Sequence, residues 1–188
     1  MRIVAGVYGG RRLEAPKGRD IRPTSDKVRG AMFNALRSRG AVEGAQVLDA
    51  FCGSGALGLE ALSQGAAECT FVDKARESLD LCQRNAETLG ADWSARFLLK
   101  DTAKIGARSS DIMPADLVFL DPPYAKGLVG AGLKALDAGG WLVDGAWVVC
   151  EVEKGFSGAL PEAYVVENEK AYGETRVIFT RYQARTPL

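Results

Sequence analysis

Residues 46–50, Gln46-Val47-Leu48-Asp49-Ala50, break into Phe51-Cys52-Gly53-Ser54-Gly55, and the chain resumes over 56–64 with apolar residues at helical spacing before Gly65. A strand that enters a Gly-x-Gly turn and leaves as a helix opens a β-α-β unit. Repeated, such units build a parallel sheet covered by helices on both faces. The rest of the chain keeps that alternation. Strands are predicted over 68–72, 95–100, 116–120 and 147–152. Helices are predicted over 75–89, closed by Gly90, and over 127–136, with a short one near 102–108. The end changes style, because 164–170 and 175–182 both alternate apolar and polar residues around Tyr172-Gly173, which reads as a hairpin. The expected fold is α/β: a seven-stranded, mostly parallel sheet with its last strand antiparallel. A dinucleotide-binding sheet would continue the β-α alternation to its end.

Ahead of this sheet, residues 2–8 and 11–15 flank Gly9-Gly10 as a β-hairpin, and 16–23 read as extended. Thr24 or Ser25 can cap a helix in which Val28, Met32, Phe33 and Leu36 share a face, stopped by Gly40. The chain divides in this reading into a basic arm over 1–23 and a body over 24–188. Its zero net charge hides an asymmetry. Residues 1–29 carry eight basic and three acidic groups, a net +5, and the remainder a net −5. A basic arm on an acidic body fits contact with a polyanion, through Arg2, Arg11, Arg12, Arg22, Lys27 and Arg29. A solvated basic end without a partner fits the charge equally well.

The 188 residues include no histidine, which excludes imidazole bases, His-based triads and His metal ligands. Four scattered cysteines without a Cys-x-x-Cys pair argue against a disulfide framework or a zinc site, and no metal is expected. With no secretion signal and no membrane-length apolar run, the expected placement is the cytoplasm.

The glycine turn sits at the carboxyl end of a strand, where parallel sheets bind ligands. Asp49 beside it would repel a pyrophosphate but attract a sulfonium and an ammonium group. The turn therefore favours S-adenosylmethionine over a nicotinamide dinucleotide, with Asp49, Phe51, Gly53 and Gly55 forming the donor loop. Asp73, ending the next strand, can accept from both ribose hydroxyls, and Asp101, ending the third, from the adenine amino group.

Asp121-Pro122-Pro123-Tyr124 follows the apolar strand ending at Leu120. Two prolines cannot continue a sheet and fix the backbone at its edge. An amino group conjugated to a base is a poor nucleophile that gains positive charge as it attacks a methyl carbon. Fixed acceptors, the Asp121 carboxylate and the Pro122 carbonyl held by Pro123, stabilise that charge. Tyr124 offers a face for stacking the base.

These motifs resemble the bacterial methyltransferases of guanine N2 in small-subunit (16S) ribosomal RNA. The resemblance runs from Arg2-Ile3-Val4-Ala5-Gly6 and Gly10-Arg11-Arg12-Leu13 through Arg22-Pro23-Thr24-Ser25-Asp26-Lys27-Val28-Arg29 to Glu169-Lys170-Ala171-Tyr172-Gly173. It implies a Rossmann-like class I methyltransferase fold, the donor and acceptor roles above, and an arm that helps grip 16S RNA or an assembling small subunit; separately, a monomer is expected. It also implies the guanine numbered 966 as the target. Cys52, Asp73 and Gly30 depart from the family's commoner residues. Two other readings stay open: an adenine amino-methyltransferase of DNA, and an idle RNA-binding assembly factor on the same fold.

Overall fold

The computed structural model describes residues 1–16, 25–123 and 127–184. Helix α1 (Asp26–Arg37) begins where Ser25 Oγ accepts from the Val28 amide, and it buries Val28, Met32, Phe33 and Leu36 as their spacing predicts. The alternating core follows as β1 (Gln46–Asp49), α2 (Ala56–Ser63), β2 (Glu68–Asp73), α3 (Arg76–Leu89), β3 (Ala95–Leu99), β4 (Ala115–Leu120) and α4 (Leu128–Ala138). Strands β5 (Leu142–Glu153), β6 (Tyr164–Tyr172) and β7 (Thr175–Tyr182) complete one seven-stranded sheet in the order β3-β2-β1-β4-β5-β7-β6. The pairs among β1 to β5 are parallel, and β7 runs antiparallel to both neighbours. The predicted fold class is the observed one.

Three expectations need correction. The short helix expected near 102–108 is a single 3-10 turn, Thr102–Lys104. Strand β5 starts five residues earlier than predicted, because its first part is broken by Gly145 at φ 77° where the register with β4 shifts between Ala115 and Leu117. A positive φ reads in sequence as a turn, although here it is an irregularity inside a strand. The N-terminal hairpin is reduced to one antiparallel bridge, Arg2 with Arg12, and its connection is a series of tight turns.

The sheet separates two apolar cores. One holds α1, α2 and α3, with Phe33 against Phe119 at 5.5 Å between ring centroids. The other holds α4 and the segment around Ile105 and Ile112. Ile3 and Leu13 belong to the first core, so the arm is docked by burial. Four donors converge on the Glu60 carboxylate at this junction: the Val4 amide (2.8 Å), the Ala5 amide (3.0 Å), Gln64 Nε2 (2.7 Å) and Arg29 Nε (3.1 Å). Among the described residues no helix is long and apolar enough to cross a membrane.

Candidate active site

The carboxyl ends of β3, β2, β1 and β4 lie side by side in that order, and an aspartate stands at or just past each one. Asp101 follows β3, Asp73 ends β2, Asp49 ends β1 and Asp121 follows β4. Residues far apart in sequence thus form one row across four adjacent strands.

The turn after β1 is anchored to both neighbours. The Ala50 amide donates to the Phe119 carbonyl of β4, and the Cys52 amide to the Val72 carbonyl of β2. Gly53 and Gly55 take φ of 52° and 82°, where a side chain is strained. A Cβ at Gly55 would also fall 2.4 Å from Cys82 Sγ, so this position is closed sterically as well as conformationally. Gly58 allows the close helix–strand packing expected of it, since a Cβ there would lie 2.3 Å from the Phe71 ring.

Asp49 lies beneath the turn at 1% exposure, and its Oδ2 accepts from the Gly58 amide at 2.9 Å. Burial pushes its carboxyl up to about 7, the charge of Asp73 adds to the shift, and the Gly58 amide opposes it. Asp73 is half-buried, with Oδ2 accepting from the Gly53 amide (3.0 Å) and Oδ1 from the Ala75 amide (2.9 Å). It fixes the turn and the start of α3 together. Asp101 Oδ1 accepts from the Ala103 amide at 3.0 Å and caps the 3-10 turn. Phe51 is half-buried, and the space above α4's Gly132 is bounded by Phe51, Leu120 and Thr102.

At the fourth tip Asp121 is half-buried, Pro122 buried and Pro123 exposed. Tyr124 lies outside the described residues, as does Arg22 of the arm. Cys52, in the turn after β1, has its thiol raised well above the ordinary value, first by a hydrogen bond with Cys82 and then by burial. A thiol held protonated is a packing group and not a nucleophile. Among the described residues no group of His, Cys, Asp and Glu side chains is arranged to hold a metal ion.

The arm's basic residues divide. Arg2 and Arg12 are exposed on the bridge, with Arg2 near Asp26 at 3.6 Å, and Lys27 is exposed on the first turn of α1. The Arg11 guanidinium is engaged by the last carbonyls of α3, donating to Leu89 (2.8 Å) and Thr88. Arg29 corrects the sequence reading. It is 0% exposed, paired with Glu60 at 3.1 Å and Asp26 at 2.9 Å, and bound to the Arg2 carbonyl. It cannot touch a nucleic acid without unfolding this junction. Charge counting does not distinguish a buried arginine from a displayed one, although Glu60 within an otherwise apolar helix is a trace of it.

Three further residues at the site escape the sequence reading. Thr102, 2% exposed, donates from its hydroxyl to the Ala50 carbonyl. Asn85, 1% exposed, donates to the Ser54 carbonyl inside the glycine turn at 2.9 Å. Glu151, 5% exposed, is one residue past the Leu120–Cys150 pair on β5, as Asp121 is on β4. Strand alternation gives both the face of Phe119 and Val149, in the first core. A concavity of about 340 Å³ lies instead at the amino edge of the sheet, with Arg39, Asp116, Trp147 and Arg181 in its lining.

The family described as Conserved hypothetical protein 95 matches residues 1–181. The chain is 37% identical, over 97% of its own length and 89% of the relative's, to ribosomal RNA small subunit methyltransferase D of Escherichia coli strain K12. A solved structure of Escherichia coli yhhF, described as a candidate methyltransferase, superposes with a TM-score of 0.83 at 35% identity, covering 98% of this chain and 99% of that one. An RNA methyltransferase from Salinibacter ruber, solved with S-adenosyl-L-homocysteine, shares the fold at a TM-score of 0.65 and 18% identity, over 88% of this chain and 97% of that one.

Proposed function

The chain belongs to the Conserved hypothetical protein 95 family, and from that premise we propose that it methylates the exocyclic N2 amino group of a guanine in small-subunit ribosomal RNA, using S-adenosylmethionine. The observation that carries this reading is the row of Asp101, Asp73, Asp49 and Asp121 across four neighbouring strand tips. Such a row repels a pyrophosphate and suits a ligand carrying a sulfonium and an ammonium. The turn also leaves room for a ligand at Gly53, where a Cβ would meet nothing within 4 Å.

When bound, the donor supplies a methyl group already activated by its positive sulfur. The chain's own residues orient and shield. Asp73 has lone pairs left for two ribose hydroxyls, and Asp101 accepts from the adenine amino group in this reading. Asp49 acts from below, through the field of a buried carboxylate and through the turn it holds. At the acceptor side the Asp121 carboxylate and the Pro122 carbonyl accept hydrogen bonds from the two N–H groups of the amine. Its nitrogen would then bond to the methyl carbon as the C–S bond breaks with its electron pair going to sulfur, and the Asp121 carboxylate would take the surplus proton from nitrogen. Tyr124 stacks the extruded base.

Guanine presents N1–H and the N2 amino group side by side, both donors, whereas adenine presents an acceptor at N1. We assign the N1–H of guanine to Glu151, which lies one residue past the partner of Leu120 on β5. Arg2, Arg12 and Lys27 supply the exposed positive charge for RNA phosphates. The test offers radiolabelled donor with naked 16S RNA, small-subunit particles and duplex DNA, followed by mapping of the modified base. Label on guanine N2 of ribosomal RNA is expected. Asp121→Ala should lower the rate about 10²–10³-fold with donor binding near wild type. Label on DNA alone, or unchanged turnover in that variant, overturns the reading.

A further inference from the structure

Asn85 lies on the buried face of α3 between Cys82, Ala86 and Leu89, at 1% exposure. An amide placed there must satisfy two donors and an acceptor or cost stability. All are used, and they go to two different segments. Nδ2 donates to the Ser54 carbonyl of the glycine turn (2.9 Å) and to the Glu14 carbonyl of the arm (3.1 Å), while Oδ1 accepts from the Glu14 amide (2.8 Å). The two bonds with Glu14 imitate a rung of β-ladder, so the side chain reads the backbone of the arm. The same helix holds the arm at two further points: Arg84 pairs with Glu14 at 3.5 Å, and Arg11 clasps the carbonyls of Thr88 and Leu89.

Ser54 sits between Gly53 and Gly55, and the glycines bring no side chains of their own to fix the turn. Its shape is imposed from outside, by Asp73 on one side and Asn85 on the other. We propose that Asn85 is a positioning residue that couples docking of the basic arm to the donor turn, so that arm docking and donor binding strengthen each other. Coupling of this kind is reciprocal: whatever the docked arm adds to donor affinity, the donor returns to arm docking. RNA held by the arm's exposed arginines would thereby favour a donor-ready turn. This rests on the donor site proposed above.

The full-length protein tests it in two measurements. In the wild type, saturating S-adenosylmethionine should slow hydrogen exchange of the Glu14 amide about tenfold, although that amide lies on the arm and not in the donor row. In Asn85→Ala, assayed well below its melting temperature, the donor Kd should rise about tenfold. The loss should appear more as a raised KM for donor than as a lowered kcat. A residue that only supports the fold would lower the melting temperature and leave the donor Kd of the folded protein unchanged, and that result overturns the proposal. Should the variant fail to fold, the wild-type exchange measurement decides alone: a Glu14 amide indifferent to bound donor overturns the coupling. A wild type that binds no donor defeats the donor site itself, so the two failures are distinguishable.

Discussion

Replacing Arg29 by methionine removes the cation from a junction where both partners are 0% exposed and 3.1 Å apart. The Glu60 carboxylate keeps three neutral donors, the Val4 and Ala5 amides and Gln64 Nε2, but loses its counter-charge. A buried ion left without its partner costs about 3–5 kcal/mol. At about 2–4 °C per kcal/mol for a chain of this size, the melting temperature should fall by about 6–20 °C. The double variant Arg29→Met/Glu60→Leu should recover only part of this, because the Val4 and Ala5 amides then lack their acceptor, at about 1–3 kcal/mol each. Thermal melts followed by circular dichroism measure the loss. Filter binding to 16S RNA, at a temperature where both proteins are folded, should give affinities for wild type and Arg29→Met within about twofold, since the removed charge never reaches the surface. A variant with an unchanged melting temperature and lost RNA affinity would refute the assignment of Arg29 to the core.

Two more outcomes follow from the site. Asp49, raised to about 7 against about 3.9 for a free carboxyl, holds a proton in the folded protein over that interval while the unfolded chain does not. Its contribution to stability is therefore full below the lower value and declines as pH rises through the interval. Donor binding carries the opposite dependence, because the cationic ligand favours the ionised carboxylate. Donor affinity should rise with pH up to about 7 and then level off. Calorimetry at pH 6 in buffers of different ionisation enthalpy should show close to one proton released per donor, and a pH-independent affinity with no release would contradict the role given to Asp49. Reversing Arg2 and Arg12 to glutamate should weaken RNA binding and flatten its dependence on salt, each lost phosphate contact removing about 0.7–0.9 from the logarithmic slope. An unchanged slope would place the RNA contact elsewhere.

Periodicity and turn chemistry made the architecture legible in the chain. The β-α alternation, the terminal hairpin and the positive φ of Gly53 and Gly55 are local properties, and a period or a positive φ is written into a few consecutive residues. The same holds for the strand-end aspartates, because parallel strands bring their carboxyl ends to one edge whatever lies between them. Partner choice was not legible. Arg29 and Arg12 are the same residue type in the same basic stretch, yet packing against Glu60 buries one and leaves the other in solvent. Asn85 reads as an ordinary polar position on a helix until tertiary contact sets it between Ser54 and Glu14. Glu151 reads as an ordinary strand residue until the register of β4 and β5 pairs Cys150 with Leu120, one residue before Glu151 and Asp121 respectively. The sequence alone determined the order of the main strands and helices, and hence the sheet and its carboxyl edge. Only the tertiary structure decided which charges that edge and the arm display and which they spend on holding themselves together, since the energy of a charge depends on its surroundings and those are assembled from segments dozens of residues apart.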